Sequence, residues 1–188
     1  MNNTDLKTTY GRLGMHPGDM GPDEATVIFG EAMKLPEGSR ALEISPQTGR
    51  TTAILGAAIR NIDGALYVAD DWIAKNPQES AWFQKAIKLH GLMPSTKIVP
   101  SAASDILRGA HNEVGGFNLV LISGNFSRLE WLPLTKGCVV LLRRSRQKLP
   151  EDRARLVRGV DGLIDVWEMS GDMNCEPLNT ESVVEAPL

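Results

Sequence analysis

Residues 42–52 read LEISPQTGRTT, in which an apolar segment ends, a turn follows and a helix begins. The pattern predicts a short buried strand over 40–45 and a helix over 51–60. Junctions of this kind bind nucleotide-like ligands in many α/β proteins, because the first backbone N–H groups of the helix face the turn. The turn contains one glycine, Gly49, and no lysine follows in the phosphate-loop pattern, which argues against a Walker-type NTPase.

The rest of the chain continues this alternation of strands and helices. Further strands are predicted over 65–69, 96–99, 118–122, 138–142 and 163–169, with one more edge strand possible at 183–184. Further helices are predicted from Pro22 to Leu35 and over 80–90, 102–110 and 151–160. This order predicts an α/β fold of the Rossmann-like, doubly wound type. We expect a mostly parallel sheet of about six or seven strands, covered by helices on both faces.

The first 22 residues differ in composition from the rest of the chain. They contain Gly11, Gly14, Pro17, Gly18 and Gly21, followed by Pro22, and are predicted to form an irregular N-terminal arm or lid. Residues 23–188 are predicted to form a single domain, which suits a chain of 188 residues. The sequence does not distinguish a lid from a dimerisation segment or a disordered arm, so a homodimer stays open.

Charge and cysteine content narrow the classes of partner and compartment. A net charge of -3 makes nucleic acid an unlikely main partner. Cys138 and Cys175 lack metal-type spacing and are expected to be free thiols in a reducing cytoplasm. The N-terminal sequence lacks the apolar core of a signal peptide, and no apolar run approaches the length of a membrane span. We therefore expect a soluble cytoplasmic protein.

Basic residues cluster in one stretch near the C-terminus. The stretch contains Arg143, Arg144, Arg146, Lys148, Arg153, Arg155 and Arg158, and seven acidic residues follow it with no further Lys or Arg. One interpretation is an anion- or RNA-binding strip. The favoured interpretation is a solvated helix face that the acidic tail partly neutralises.

Polar residues follow several predicted strands, where parallel sheets bind ligands. Ser45, Asp70, Ser101 and Ser123 are therefore predicted to share one edge of the sheet. Asp70 is well placed to hold the two hydroxyls of a ribose, and Trp72 offers a flat wall for adenine or substrate. The alternative is that Asp71 caps a turn and Trp72 covers the sheet edge. Glu43 would either help shape a ligand site or pin neighbouring loops.

Five segments together resemble the class I S-adenosylmethionine-dependent methyltransferases. They are ALEISPQTGRTTAILGAAI, GALYVADDW, SAASDIL, FNLVLISGNFS and LPLTKGCVVLL, which occur in the family's order over residues 23–145. The resemblance is to the small branch with a glutamate near the end of strand one, a Gly-Arg-Ser/Thr-Thr helix start and an Asp-x-Trp after strand two.

This resemblance implies a cofactor, S-adenosylmethionine, and a set of contacts. It assigns Glu43, Ser45, Thr48 and Gly49 to the loop around the methionine end of the cofactor. It assigns Asp70 to the ribose, Ser101 and Ala102 to the adenine, and Asp71 and Trp72 to the flanks of the nucleoside. Ser123 would face the sulfonium.

The chain departs from the family at three points. Ser45 replaces the usual glycine after the strand-one acid, and Pro46 or Gln47 replaces another, so we expect an altered loop path. Ser123 and Phe126 stand where relatives carry an acid and a histidine that can bind a divalent cation. Arg143-Arg144 follow strand five, where relatives often carry acids, so the ligand chemistry disfavours a metal.

The catalytic base is not identified by the sequence. His16 in the arm either folds over the pocket as a base or is an exposed loop histidine, which is the favoured interpretation. His90 ends a helix, where a cation suits the dipole, and His111 lies in a polar turn. Methyl transfer rests mostly on positioning, so a missing base does not exclude it.

Three functional hypotheses follow. The first is S-adenosylmethionine-dependent methyl transfer to a small molecule without a metal. The second is a catalytically degenerate member of the fold that serves as a binding or assembly module. The third, a nicotinamide- or nucleotide-dependent protein, ranks last because residues 45–50 lack the Gly-x-Gly-x-x-Gly turn.

Overall fold

The structure is a computed structural model that describes residues 5–69, 76–99, 116–124, 134, 136–146, 148–160 and 162–170. Its helices are α1 (Leu6–Leu13), α2 (Pro22–Met33), α3 (Arg50–Asn61) and α4 (Pro77–Leu89), with a short 3-10 helix over Met93–Ser95. Its strands are β1 (Arg40–Ile44), β2 (Ala65–Ala69), β3 (Thr96–Val99), β4 (Leu119–Ser123), β5 (Val139–Arg143), β6 (Ala154–Val160) and β7 (Ile164–Met169).

The seven strands form one sheet in the order β3-β2-β1-β4-β5-β7-β6. The first five strands pair in parallel, whereas β7 pairs antiparallel with both β5 and β6. The strand order reverses between β1 and β4, which are adjacent in the sheet although β2 and β3 separate them in the sequence. The predicted Rossmann-like, mostly parallel sheet of six or seven strands is therefore confirmed.

Apolar side chains cover both faces of the sheet. On one face the four α-helices pack through Leu13, Ile28, Ile54 and Phe83, together with Leu121 of β4. On the other face, Leu42 and Ile122 pack with Phe117, Leu134 and Leu149, which lie outside the regular elements. The helix predicted over 102–110 and the strand predicted at 183–184 lie outside the described residues.

The prediction of a helix over 151–160 is wrong, because Ala154–Val160 is the edge strand β6. Asp161-Gly162 is a strong signal for a tight hairpin turn, and Gly162 has a φ of 68°. The hairpin pairs β6 with β7, with an irregularity in register between Leu156 and Arg158. Arg155 bonds Glu168 at 2.9 Å and Arg158 bonds Glu31 at 2.6 Å. The basic stretch is therefore not a solvated helix face, and charged side chains line an edge strand.

The N-terminal arm is also more ordered than predicted. Leu6–Leu13 is helical rather than irregular, and the Asp5 carboxylate caps it by accepting a hydrogen bond from the Thr8 N–H at 2.6 Å. Leu13 is fully buried against the helices on the same face of the sheet. Burial of one apolar side chain and a side-chain cap therefore stabilise a short helix in a Gly-rich segment.

Candidate functional site

The candidate site lies at the carboxyl ends of β1 and β4, where the strand order reverses. Open α/β sheets bind ligands at this position, because the connections from these two strands leave in opposite directions. The N–H of Ser45 donates to the carbonyl of Ala69 at 3.2 Å, which extends the β1–β2 pairing by one residue. The turn over 45–49 therefore begins beside the last residue of β2.

The backbone of this turn has a conformation that favours glycine. Ser45 has a φ of 59°, Gln47 a φ of 53° and Gly49 a φ of 88°, so three of five residues are left-handed. Residues with a Cβ adopt this region at a cost of about 1–2 kcal/mol each. The sequence predicted an altered loop path at these positions. In the structure, the φ angles of Ser45 and Gln47 lie in the range that glycine adopts readily.

Gly49 is required for a second reason, which is the approach of α4. A Cβ placed on Gly49 would lie 3.1 Å from the Cβ of Ala86 and 3.2 Å from the Cα of Phe83. The turn is thus packed directly against α4 on one side. The close backbone approach that Gly49 allows in this structure is to a helix.

Glu43 is fully buried in β1, and its Oε1 accepts a short hydrogen bond from the hydroxyl of Thr51. Thr51 lies in the first turn of α3, so this bond fixes the start of the helix to the strand before it. A buried carboxylate needs such donors to offset its lost hydration. The contact agrees with the interpretation of Glu43 as a residue that pins the loop.

Two hydroxyl groups near the site are buried without a hydrogen-bond partner among the described residues. They are Oγ of Ser123, the last residue of β4, and Oγ1 of Thr52 in the first turn of α3. Ser123 lies on the same face of the sheet as Leu121 and Arg143, because it alternates with Ile122 and pairs in register with Arg143. Buried hydroxyls without partners are uncommon, and a polar ligand would satisfy them.

Residues 14–21 form what we call the N-terminal strap, which lies over this turn. Nε2 of His16 donates to the carbonyl of Thr48 at 2.7 Å, and Oγ1 of Thr48 donates to the carbonyl of Pro17 at 2.6 Å. The Arg50 guanidinium donates to the carbonyl of His16. A Cβ on Gly18 would lie 2.6 Å from Cδ of Arg50, so the strap approaches α3 closely. The carbonyl and the hydroxyl of Thr48 are therefore both engaged by the strap.

The strap ends at a cluster of four charged side chains beside β5. Arg143 is 2% exposed, and its guanidinium lies 2.8 Å from Asp19 Oδ1 and 2.8 Å from Glu24 Oε1. Arg144 contacts the same two carboxylates and donates to the carbonyl of Asp19 at 2.6 Å. Burial raises the pKa of Asp19, but the hydrogen bond and charge of Arg143 and the charge of Arg144 outweigh it and lower that pKa.

The sequence did not predict this cluster. In the sequence, Arg143 and Arg144 belong to the basic stretch and follow strand five, and their partners lie more than a hundred residues earlier in the chain. A buried strand that ends in two arginines is a signal that acidic partners are needed. Nothing in the sequence identifies Asp19 and Glu24 as those partners.

Five of the predicted site residues lie outside the described residues. They are Asp70, Asp71 and Trp72 after β2, and Ser101 and Ala102 after β3. The structure brings together the turn residues Ser45, Thr48 and Gly49 with the buried Glu43 at the end of β1, and it places Ser123 at the end of the adjacent β4.

The two described histidines differ from their predicted states. His16 is nearly buried and packs edge-on against Trp82 at 5.4 Å between ring centres, so it is not an exposed loop residue. Its Nε2 donates a hydrogen bond, so a neutral ring would carry its lone pair on Nδ1. His90 caps the C-terminus of α4, but burial, with the charges of Arg12, His16 and Arg60, lowers its pKa to about 4 and disfavours the cation.

Other features of the described residues lie away from this site. A surface cleft of about 310 Å³, lined in part by Arg60, Asp63, Ser95 and Lys97, opens at the amino ends of β2 and β3, the opposite edge of the sheet. No group of three or more His, Cys, Asp or Glu side chains in the described ranges is arranged to hold a metal ion. No helix within those ranges is long and apolar enough to cross a membrane.

Comparison with known proteins finds similar structures but no match by sequence. No protein-family model matches the sequence, and a search of curated proteins finds no match. The structure is similar to the SAH-bound methyltransferase PaMTH1 of Podospora anserina, with a TM-score of 0.64 and 13% identity over 88% of this chain and 87% of that one. At this level of sequence identity, the structural similarity shows a shared fold.

Two further solved methyltransferase structures are similar to this chain over most of its length. The O-methyltransferase TomG from Streptomyces achromogenes, in complex with SAM, has a TM-score of 0.62 and 15% identity over 88% of this chain and 89% of its own. The O-methyltransferase from Bacillus cereus, in complex with SAH, has a TM-score of 0.59 and 17% identity over 87% and 88%. The chain therefore has the fold of these methyltransferases over nearly nine tenths of its length.

Proposed function

We propose that the chain is an S-adenosylmethionine-dependent methyltransferase that acts on a small molecule without a metal ion. The observation that carries the proposal is the left-handed backbone at Ser45 and Gln47, in the turn that follows β1. Related folds place glycines here so that the backbone can approach the cofactor. This chain keeps that conformation with larger residues, at an energetic cost that a merely connecting turn would not require.

Several groups fit the cofactor chemically. The helix N-terminus at Gly49-Arg50 has no side-chain cap, so its N–H groups suit a carboxylate such as that of the methionine moiety. The unpartnered hydroxyls of Thr52 and Ser123 add two polar contacts. Asp70, the residue after β2, is assigned to the ribose hydroxyls, and Asp71, Trp72, Ser101 and Ala102 to the nucleoside, by the sequence resemblance.

When bound, S-adenosylmethionine would supply a methyl group that is already activated by a sulfonium. The chain then has to orient an acceptor and exclude water, and these two effects account for most of the rate in such reactions. The strap suits the second task, because residues 16–18 already lie over the turn after β1. His16 lies close to this turn, but its Nε2 is engaged by Thr48, so we assign it no role as a base.

The absence of a metal requirement rests on the charge of the residues at the carboxyl edge. The ends of β4 and β5 carry Ser123 and Arg143, and Arg144 follows directly. A divalent cation needs carboxylate or carbonyl oxygens, and two guanidinium groups at this edge would repel it. Glu24 and Asp19 are already paired with these arginines.

The partner and compartment belong to the same proposal. A small-molecule acceptor is favoured over nucleic acid, because the net charge is -3 and Arg143, Arg144, Arg155 and Arg158 are paired with carboxylates. Cys138 is a buried free thiol, which suits a reducing cytoplasm. Burial raises its pKa to about 12, so the thiol is unreactive.

Calorimetric titration with S-adenosylmethionine and with its demethylated product, S-adenosylhomocysteine (SAH), tests the proposal. Both are expected to bind, and Asp70→Asn is expected to weaken SAH binding about 10- to 100-fold, because a charged hydrogen-bond acceptor is lost. Asp63→Asn is the matched control, since Asp63 is an exposed acid at the opposite edge of the sheet and asparagine tolerates its φ of 51°. The absence of heat from both ligands at millimolar concentration would contradict the proposal.

A second candidate is a degenerate member of this fold that serves as a binding or assembly module. It is favoured by the engagement of Thr48 and Arg50 with the strap, which occupies groups beside the expected cofactor turn. This candidate predicts that neither ligand changes the melting temperature, in the unmodified chain or in Asp70→Asn. A rise in melting temperature with SAH that Asp70→Asn abolishes would exclude it.

A further inference from the structure

The N-terminal strap crosses the carboxyl edge of the sheet from the turn after β1 to the end of β5. His16 to Gly18 contact Thr48 and Arg50, and the next residue, Asp19, contacts Arg143. In the sheet β4 separates β1 from β5, so the two ends are about 10 Å apart. Three residue steps of extended chain cover about 10 Å at most. The strap bends at Pro17 and Gly18, and the side chains of Asp19 and Arg143 complete the span.

The strap therefore ends beside β5, next to the end of β4. Arg143 and Ser123 occupy paired positions on neighbouring parallel strands and share one face of the sheet. Both are more than nine tenths buried, and Oγ of Ser123 has no hydrogen-bond partner among the described residues. The adjacent ends of β4 and β5 thus combine an unsatisfied hydroxyl on Ser123, a buried guanidinium on Arg143 and a second guanidinium on Arg144.

The two carboxylates that bind these arginines are held differently. Glu24 is fully buried in the first turn of α2, where its Oε2 also accepts the N–H of Gly21 at 2.8 Å. Asp19 is 55% exposed and belongs to no helix or strand. It follows Gly18, whose φ of 128° lies in a region that side chains rarely adopt. Glu24 is a fixed partner, whereas Asp19 can leave at little cost to the core.

We propose that Arg143 and Arg144 form a carboxylate-binding site for the methyl acceptor, and that Asp19 occupies this site when no acceptor is bound. An arriving carboxylate replaces that of Asp19, so two guanidinium groups remain balanced by two negative charges. Guanidinium groups form strong charge-assisted hydrogen bonds with carboxylates, and Asp19 already bridges the two arginines with one oxygen on each. The acceptor class is therefore a small carboxylic acid.

The identification of the bound carboxylate as a methyl acceptor rests on the proposed function. Carboxylate binding itself is tested without cofactor. Benzoate is titrated into Asp19→Asn and into Asp23→Asn, with benzamide as the uncharged analogue, and binding is followed by calorimetry. Asp23 is the matched control because it is an exposed acid four residues away. Asp19→Asn is expected to bind benzoate about tenfold more tightly than Asp23→Asn, because the internal competitor is gone.

Adding Arg144→Gln to Asp19→Asn is expected to reverse the gain, while benzamide binding stays equal in every variant. Equal benzoate affinity in Asp19→Asn and Asp23→Asn would overturn the proposal, as would an equal gain for benzamide. Benzoate that displaces SAH would overturn it as well, because the arginines would then hold the carboxylate of the cofactor.

A second measurement needs no substitution. Benzoate is expected to raise the melting temperature of the unmodified chain more than benzamide does, and equal shifts would count against the site. The two proposals fail separately. SAH binding without any benzoate preference retains the methyltransferase and removes the carboxylate site. A benzoate preference without SAH binding retains the site and removes the proposed function.

Discussion

Nε of Arg143 lies 2.8 Å from Oε1 of Glu24, and both side chains are almost completely buried. The two residues belong to β5 and α2, which lie far apart in the sequence. Removal of one member of a buried ion pair leaves the other charge without compensation in a medium of low dielectric constant. This pair therefore makes the attachment of α2 to the sheet depend on both charges.

Glu24→Gln is expected to lower the free energy of unfolding by about 3 kcal/mol, because Arg143 stays buried and loses a charged partner. Glu31→Gln is the matched control on the same helix. Its partners Lys34 and Arg158 are 67% and 44% exposed and can return to water, so about 1 kcal/mol is expected. Urea denaturation of both variants measures the difference in their free energies of unfolding. Equal losses would show that the burial of Arg143 does not increase the cost of removing its partner.

The left-handed turn after β1 gives a prediction of the opposite sign. Gln47→Gly is expected to stabilise the fold by about 1 kcal/mol, because glycine adopts a φ of 53° without the clash of a Cβ. Gln47→Ala removes the same polar group but keeps the Cβ, so no gain is expected from it. Ser45→Gly and Ser45→Ala form a second pair for the same comparison. Thermal unfolding of the four variants tests the turn, and equal melting temperatures within each pair would argue against strain there.

Gly49→Ala separates the conformational cost from the packing cost. Gly38 is the matched control, because its φ of 76° is similar and a Cβ there would meet nothing within 4 Å. Gly38→Ala is expected to cost about 1 kcal/mol for the backbone alone. Gly49→Ala is expected to cost about 2–3 kcal/mol, because the added methyl also presses on Phe83 and Ala86 in α4. Similar losses for the two variants would contradict the close packing of α4.

His90 predicts how stability depends on pH. Its pKa is about 4 in the folded chain and about 6.5 in the unfolded chain, so the unfolded state binds more protons between these values. The contribution of neutral His90 to the free energy of unfolding is fully present above pH 6.5 and is lost as the pH falls toward 4. Between pH 7.5 and pH 5 the loss from this group is about 2 kcal/mol.

His90→Leu removes the titrating ring while keeping a buried side chain of similar size. Chemical denaturation at a series of pH values is expected to give a curve for this variant that falls about 2 kcal/mol less than that of the unmodified chain by pH 5. Parallel curves for the two proteins would mean that His90 titrates at its ordinary pKa.

Most of the sheet could be predicted because its central strands are short, fully apolar runs. Leu119–Ser123 and Val139–Arg143 were predicted within one residue of their observed bounds, since only a buried strand suits such sequences between turns. Ala154–Val160 was missed because its residues are largely exposed and its arginines and leucine suit a helix equally well. The Asp161-Gly162 turn was the signal that decides between the two.

The candidate site could be predicted only in part. Ser45, Thr48 and Gly49 follow a strand and open a helix, so local pattern was sufficient to place them in one turn. The left-handed path at Ser45 and Gln47 could not be predicted, because local propensity opposes it at residues that carry a Cβ. The homodimer and the roles of Asp70, Asp71, Trp72, Ser101 and Ala102 stay predictions.

The pairing of Asp19 with Arg143 joins positions 124 residues apart, and this has a consequence for biosynthesis. The N-terminal segment leaves the ribosome long before its arginine partners have been translated. Until β5 emerges, the Glu24 carboxylate gains nothing from leaving water, so α2 has no electrostatic reason to dock. Nascent chains that stop short of residue 143 should therefore keep residues 14–24 accessible to protease, and completion of β5 should protect them.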